Sequence, residues 1–177
     1  RFLYHIIMTT KNYTIVSLYS SVFLVIGLLT AYFPLWLNQS LKLETQQIGY
    51  ILSLSGILKA FFTITITVFI KNGNNLKAYL FGTAVFSMGL FLAIFSLKGF
   101  LSFNLIFFMV ILFLISFSPV LPFVETIYSS LVKEPLKKYG KIRISGSIAF
   151  CLAVFFFGYF ISKFSIAIFP LILVICL

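Results

Sequence analysis

Tyr139-Gly140-Lys141-Ile142-Arg143-Ile144-Ser145-Gly146-Ser147 carries two bases into the start of an apolar run, and Glu125 stands 18 residues before Arg143, at the foot of the preceding run. Between them lies a basic turn, Lys133-Glu134-Pro135-Leu136-Lys137-Lys138. An apolar run, a basic turn and a second apolar run read as two antiparallel membrane helices joined on the cytoplasmic side, where lysine and arginine collect. The turn places an acid and a base at the ends of neighbouring helices.

Outward from this stretch the chain is made of the same material. Of its 177 residues 62% are hydrophobic and 9% charged, with a mean hydropathy of +1.16. A soluble domain needing a charged surface is excluded. The apolar runs repeatedly reach about 20 residues, the length a helix needs to cross roughly 30 Å of hydrocarbon. A barrel would instead show alternating segments of about ten residues, so the fold class reads as all-α transmembrane.

Residues 1–12 read as a cytoplasmic N-terminus and 13–177 as a six-helix transmembrane half-bundle. Its spans fall at about 13–37, 47–70, 78–97, 101–132, 136–162 and 164–177, the last incomplete at 14 residues against the about 20 needed. Met8 looks like the natural start, with residues 1–7 as non-native upstream sequence. His5 then belongs to a solvated or disordered end and is given no role.

With the N-terminus inside, nine basic residues flank the spans on the cytoplasmic side and three on the other, Lys42, Lys98 and Lys163. The positive-inside rule favours that orientation. The net charge of +10 is scattered between apolar runs rather than clustered on a soluble face, so nucleic acid is not an expected partner. Cys151 and Cys176 have no partner at metal or redox spacing and read as small core residues. The Gly-x-Ser-x-Gly, His-Glu-x-x-His and Gly-rich phosphate patterns are missing, and three acids with one histidine leave little for catalysis or a metal site. Neither an enzyme nor a cofactor is expected.

The remaining base, Lys59, falls mid-span, where a lysine costs about 2.5 to 3.5 kcal/mol. From there its stem cannot comfortably reach an interface, so it needs a polar cavity or a partner. Ser55, Lys59, Thr63 and Thr67 follow at steps of four on one drifting stripe, as a helix lining a pathway would show. The plainer reading is a lysine paired with a carboxylate or helix carbonyls to hold helices together.

Hydropathy alone would end the fourth span near Val124 and leave Glu125 at the interface. Thr126 to Val132 carries no charge and the next breaker is Pro135, so the helix can run about two turns further and draw Glu125 inward. Ser118, Pro122, Glu125 and Ser129 share one face of that helix, and Arg143, Ser147, Phe150 and Val154 share one face of the next. Apposed faces would join carboxylate and guanidinium, either as half of a ligand site or as a salt bridge fixing the turn. Gly140 and Gly146 suit close helix approach.

The residues Tyr139 to Arg143, followed by Gly146-Ser147-Ile148-Ala149-Phe150, resemble the start of the fifth helix in the lactose permease-like branch of the major facilitator superfamily. Ala31-Tyr32-Phe33-Pro34-Leu35-Trp36-Leu37, followed by Gln47-Ile48-Gly49, is similar to the same branch and to its phenylpropionate and nucleoside permease relatives. The resemblance covers nearly all of 13–162 and implies the N-terminal half of a twelve-helix fold, with a C-terminal half to follow. In the lactose permease the corresponding Glu and Arg bind sugar, which implies that Glu125 and Arg143 contact a solute, with Ser147 beside them and Phe150 packing on it. Departures are visible too: the loop after the second span has Val68, Asn72 and Lys77 where the superfamily usually has Gly, Asp and a base. The sugar permease has Trp where Phe150 stands, so sugar is not the expected solute.

The resemblance implies a secondary active transporter in the cytoplasmic (inner) membrane, a proton-coupled symporter of a small polar organic solute; Lys59, which has no counterpart in the resemblance, is expected to line the pathway with Ser55 and Thr63 from its mid-span position and stripe alone. Solute, protons and the lipid bilayer are its expected partners. The alternative is a non-transporting six-span scaffold or interaction subunit.

Overall fold

The computed structural model describes residues 2–70, 75–97, 99–100, 102–131 and 135–176, and among them the chain is helical with no strand. The helices are α1 (Phe2–Leu41), α2 (Thr45–Ile70), α3 (Leu76–Leu97), α4 (Phe103–Phe117), α5 (Val120–Leu131), α6 (Pro135–Phe164) and α7 (Phe169–Cys176), with a 3₁₀ turn at Ile166–Ile168. Five stretches are long and apolar enough to cross a membrane: Thr14–Leu41, Thr45–Val68, Leu76–Leu97, Phe103–Ser130 and Ile142–Phe164. Lipid cannot hydrogen-bond the backbone, which is why helices satisfying their own groups are the form these runs take. The all-α transmembrane class read from composition is the class observed.

Two features differ from expectation. The backbone is helical from Phe2 onward, so His5 lies on a continuation of α1 rather than in a disordered end. The fourth span is a broken helix, interrupted at Ser118-Pro119. Proline at 119 has no N–H for the Ile115 carbonyl four residues back. Ser118 covers that carbonyl twice, with its backbone N–H at 3.2 Å and its hydroxyl at 2.7 Å.

The α1–α2 turn is fixed by local chemistry. Lys42 adopts φ 55°, a left-handed conformation that stops the helix. The Asn38 side-chain amide donates to the Leu43 carbonyl at 2.9 Å, and the Gln47 side chain accepts the Glu44 N–H at 3.0 Å, capping α2.

Helices in lipid gain little from the hydrophobic effect against one another and rely on close packing. The α1–α6 pair achieves it through glycine. A Cβ on Gly146 would lie 2.8 Å from the Tyr19 ring and 2.9 Å from Phe23, and one on Gly27 would lie 3.1 Å from the Phe150 carbonyl. Gly158 lies against the Tyr32 hydroxyl, which donates to the Val154 carbonyl. Gly140 is exposed and a Cβ there would meet nothing within 4 Å, so of the two glycines expected to allow close approach Gly146 does and Gly140 does not.

Two buried clusters follow. One gathers Phe33, Trp36, Phe91, Phe113 and Phe169, with ring centroids 5.4 to 6.4 Å apart. The other joins α1, α5 and the start of α6 through Tyr19, Val22, Val124, Tyr128 and Ile142. Glu125 sits at the edge of this second cluster.

Candidate functional site

Glu125 is six residues from the end of α5 at Leu131, about 9 Å along the helix axis. The helix therefore does run past the carboxylate. Its Oε1 accepts hydrogen bonds from the Tyr139 hydroxyl at 2.9 Å and the Tyr19 hydroxyl at 3.3 Å. Arg143 donates through a terminal guanidinium nitrogen to the Tyr139 oxygen at 2.7 Å, and that nitrogen lies 3.8 Å from Glu125 Oε1. Tyr139 thus accepts from the base and donates to the acid, a bridge between the two charges.

Each partner is placed by its element. Tyr139 and Arg143 are one turn apart on α6, so their side chains stack along one face; the guanidinium carbon lies 5.8 Å from the Tyr139 ring centre. The rings of Tyr128 and Tyr139 are 6.2 Å apart across the α5–α6 corner. Tyr19 is fully buried on α1, held between Gly146 and its stacked neighbour Phe23, 4.9 Å away. Arg143 is 57% exposed and Glu125 36%, so the cluster opens to the outside on its arginine side.

A second polar site lies nearer the middle of the bundle. Lys59 lines a cleft of about 420 Å³ between α1, α2 and the α4–α5 break. Beside it the Thr63 hydroxyl donates to the Ser118 hydroxyl at 2.8 Å, tying α2 to the break. Along α1 the cleft reaches Ile26, seven residues or about 10 Å from Tyr19. On α5 it reaches Leu121, one turn or about 6 Å from Glu125. The larger cleft, about 610 Å³, is walled mainly by apolar residues of α1 and α3 and contains neither Lys59 nor the Glu125 cluster.

The remaining expected site residues separate. Ser147 is exposed; Phe150 is half-buried, its backbone against Gly27. Ser55 is fully buried and its hydroxyl bonds the Leu52 carbonyl of its own helix at 3.0 Å. It packs in the bundle and does not line the cleft. Thr67 likewise donates to the Thr63 carbonyl at 2.6 Å. The side chains of Lys133, Lys137, Lys138 and Lys141, read as topology charges, and position Asn72 lie outside what the structure describes.

Tyr19 and Tyr139 were not singled out from sequence as site residues. Tyr139 carried a signal, standing four residues before Arg143 on the same helix. Tyr19 carried none, being 106 residues from Glu125. Among the described residues, no three His, Cys, Asp or Glu side chains converge as a metal site.

The family model described as MFS_1 like family matches residues 13–177. No match was found among curated proteins or among solved structures. A match over nearly the whole chain, on a bundle of apolar helices, shows that this multi-pass membrane protein belongs to the MFS_1 like family, a family of transporters rather than enzymes.

Proposed function

We propose that the chain is the N-terminal six-helix half of a secondary active transporter, a proton-coupled symporter moving a small polar organic solute across the cytoplasmic membrane. The observation that carries this reading is the Glu125–Tyr139–Arg143 bridge. Glu125 uses Oε1 for both tyrosines while Oε2 accepts nothing among the described residues, and Arg143 keeps over half its side chain exposed. A polar solute entering from the open side finds one acceptor and several guanidinium donors fixed in place. Such convergent polar groups suit alternating access by rocking of one half of a transporter against the other. The excess of bases on one side supports a cytoplasmic N-terminus.

Uptake by cells expressing the full-length gene tests the reading. Losing a hydrogen bond between a solute and a charged group costs about 2 kcal/mol, so Glu125→Gln and Arg143→Ala should each reduce solute uptake by about 30-fold at subsaturating concentration. Wild-type uptake in both variants would end the proposal.

A further inference from the structure

The Glu125 carboxylate is held by its own tyrosines, whereas Lys59 is left with donors and nothing among the described residues to receive them. The cleft wall around Lys59 is mostly apolar, including Ile26, Leu29, Phe33 and Leu114, with Thr30 and Ser118 as its hydroxyls. A hydroxyl oxygen can accept from an ammonium while giving its own hydrogen elsewhere. Thr30 gives its hydrogen to the Ile26 carbonyl at 2.7 Å, Ser118 to the Ile115 carbonyl at 2.7 Å, and Thr63 to Ser118 at 2.8 Å, and none of the three accepts from Lys59. The ammonium of Lys59, with three donors, makes no hydrogen bond or ion pair among the described residues.

The described carboxylates do not answer it. Glu125 is held by Tyr19, Tyr139 and Arg143. Glu44 precedes α2, 15 residues before Lys59, about 22 Å along the same helix. Glu134 lies outside the described residues.

We propose that the Lys59 cleft binds a small organic carboxylate with an apolar body, the anionic end on the Lys59 ammonium and the body against the leucine and phenylalanine walls. An unpaired cation in a low-dielectric wall is stabilised by an incoming anion, and about 420 Å³ is within the range of small-molecule sites that are largely apolar with a few placed polar groups. On α5 the cleft wall at Leu121 stands about one helical turn from Glu125. The proposal deepens the transport reading, on which the anion's role as substrate rests, but the binding itself does not need transport.

Calorimetric titration of the purified full-length protein with benzoate and hexanoate, against the uncharged benzamide and hexanamide, tests it. At least one of the two anions should bind, its amide about tenfold or more weaker. Lys59→Leu and Lys59→Gln should weaken that anion about tenfold or more, while Lys59→Arg, which keeps the charge, should stay within about threefold. Gel filtration and thermal unfolding identify any variant that fails to fold, and the glutamine and arginine variants then carry the test. No binding of either anion by about 10 mM, amides binding as well as acids, or unchanged affinity in folded Lys59→Gln would each overturn the proposal. The last result would mean that a carboxylate elsewhere in the full-length protein neutralises Lys59. Loss of uptake sensitivity to Glu125 with anion binding intact would instead remove only the transport reading.

Discussion

Glu125 and Lys59 are both charges drawn into the interior of a membrane bundle, and they are held in opposite ways. Glu125 receives two tyrosine hydroxyls and faces a guanidinium 3.8 Å away. Lys59 faces apolar walls and a few hydroxyls, none of which accepts from it among the described residues. The difference tracks the packing around them. Glu125 sits where α1 and α6 approach through Gly146, and Lys59 sits on α2, of whose span only 11% is buried, against 39% for the span in α1. A charge in a closely packed corner can be satisfied by the fold; a charge on an open helix waits for something from outside it.

The most disruptive way to break this contrast is to separate α1 from α6. A side chain at Gly146 would drive into the Tyr19 and Phe23 rings at 2.8 and 2.9 Å, so Gly146→Leu should cost about 3 kcal/mol, the upper range for overpacking. Gly140→Leu on the same helix, with no atom within 4 Å of its Cβ, should stay within about 0.5 kcal/mol. Thermal unfolding in detergent compares the two. Equal losses would mean that α6 does not pack on α1 at Gly146.

Truncating the two charges sharpens the contrast itself. Glu125→Leu strands the fully buried Tyr19 hydroxyl and should destabilise by about 2 kcal/mol. Lys59→Leu removes an unpaired charge and should stabilise by about 1 kcal/mol, part of the insertion cost of a mid-span lysine. Opposite signs in denaturant or thermal unfolding support the comparison; a loss of similar size in both would show that Lys59 has a structural partner. The smallest effect belongs to the link between α2 and the break. Thr63→Val removes the 2.8 Å bond to Ser118, and such bonds in membrane proteins average about 0.6 kcal/mol.

Much of this was legible in the chain. Spans could be read because hydrocarbon sets their length, and Glu125 and Arg143 could be joined because helix periodicity puts them on facing sides of a hairpin. Other features were not. Ser55 follows the same four-residue stripe as Lys59, yet its hydroxyl turns back to Leu52 and its side chain is sealed in the bundle. Periodicity assigns a face without saying which neighbour covers it. Pro119 breaks the fourth span while Pro34 is carried within α1, a difference that residue type alone does not decide.

By itself, the sequence determined that this chain lives in a bilayer as helices and that its few interior charges are the places to look for chemistry. Both conclusions follow from the cost of exposing backbone and charge to hydrocarbon, which is a local property of composition and length. Only the tertiary structure decided which charge is satisfied. That depends on Tyr19, brought to Glu125 across 106 residues because Gly146 lets its ring approach, and on the lack of any described partner reaching Lys59. Contacts between helices distant in the chain are set by shape complementarity, which no single helix carries.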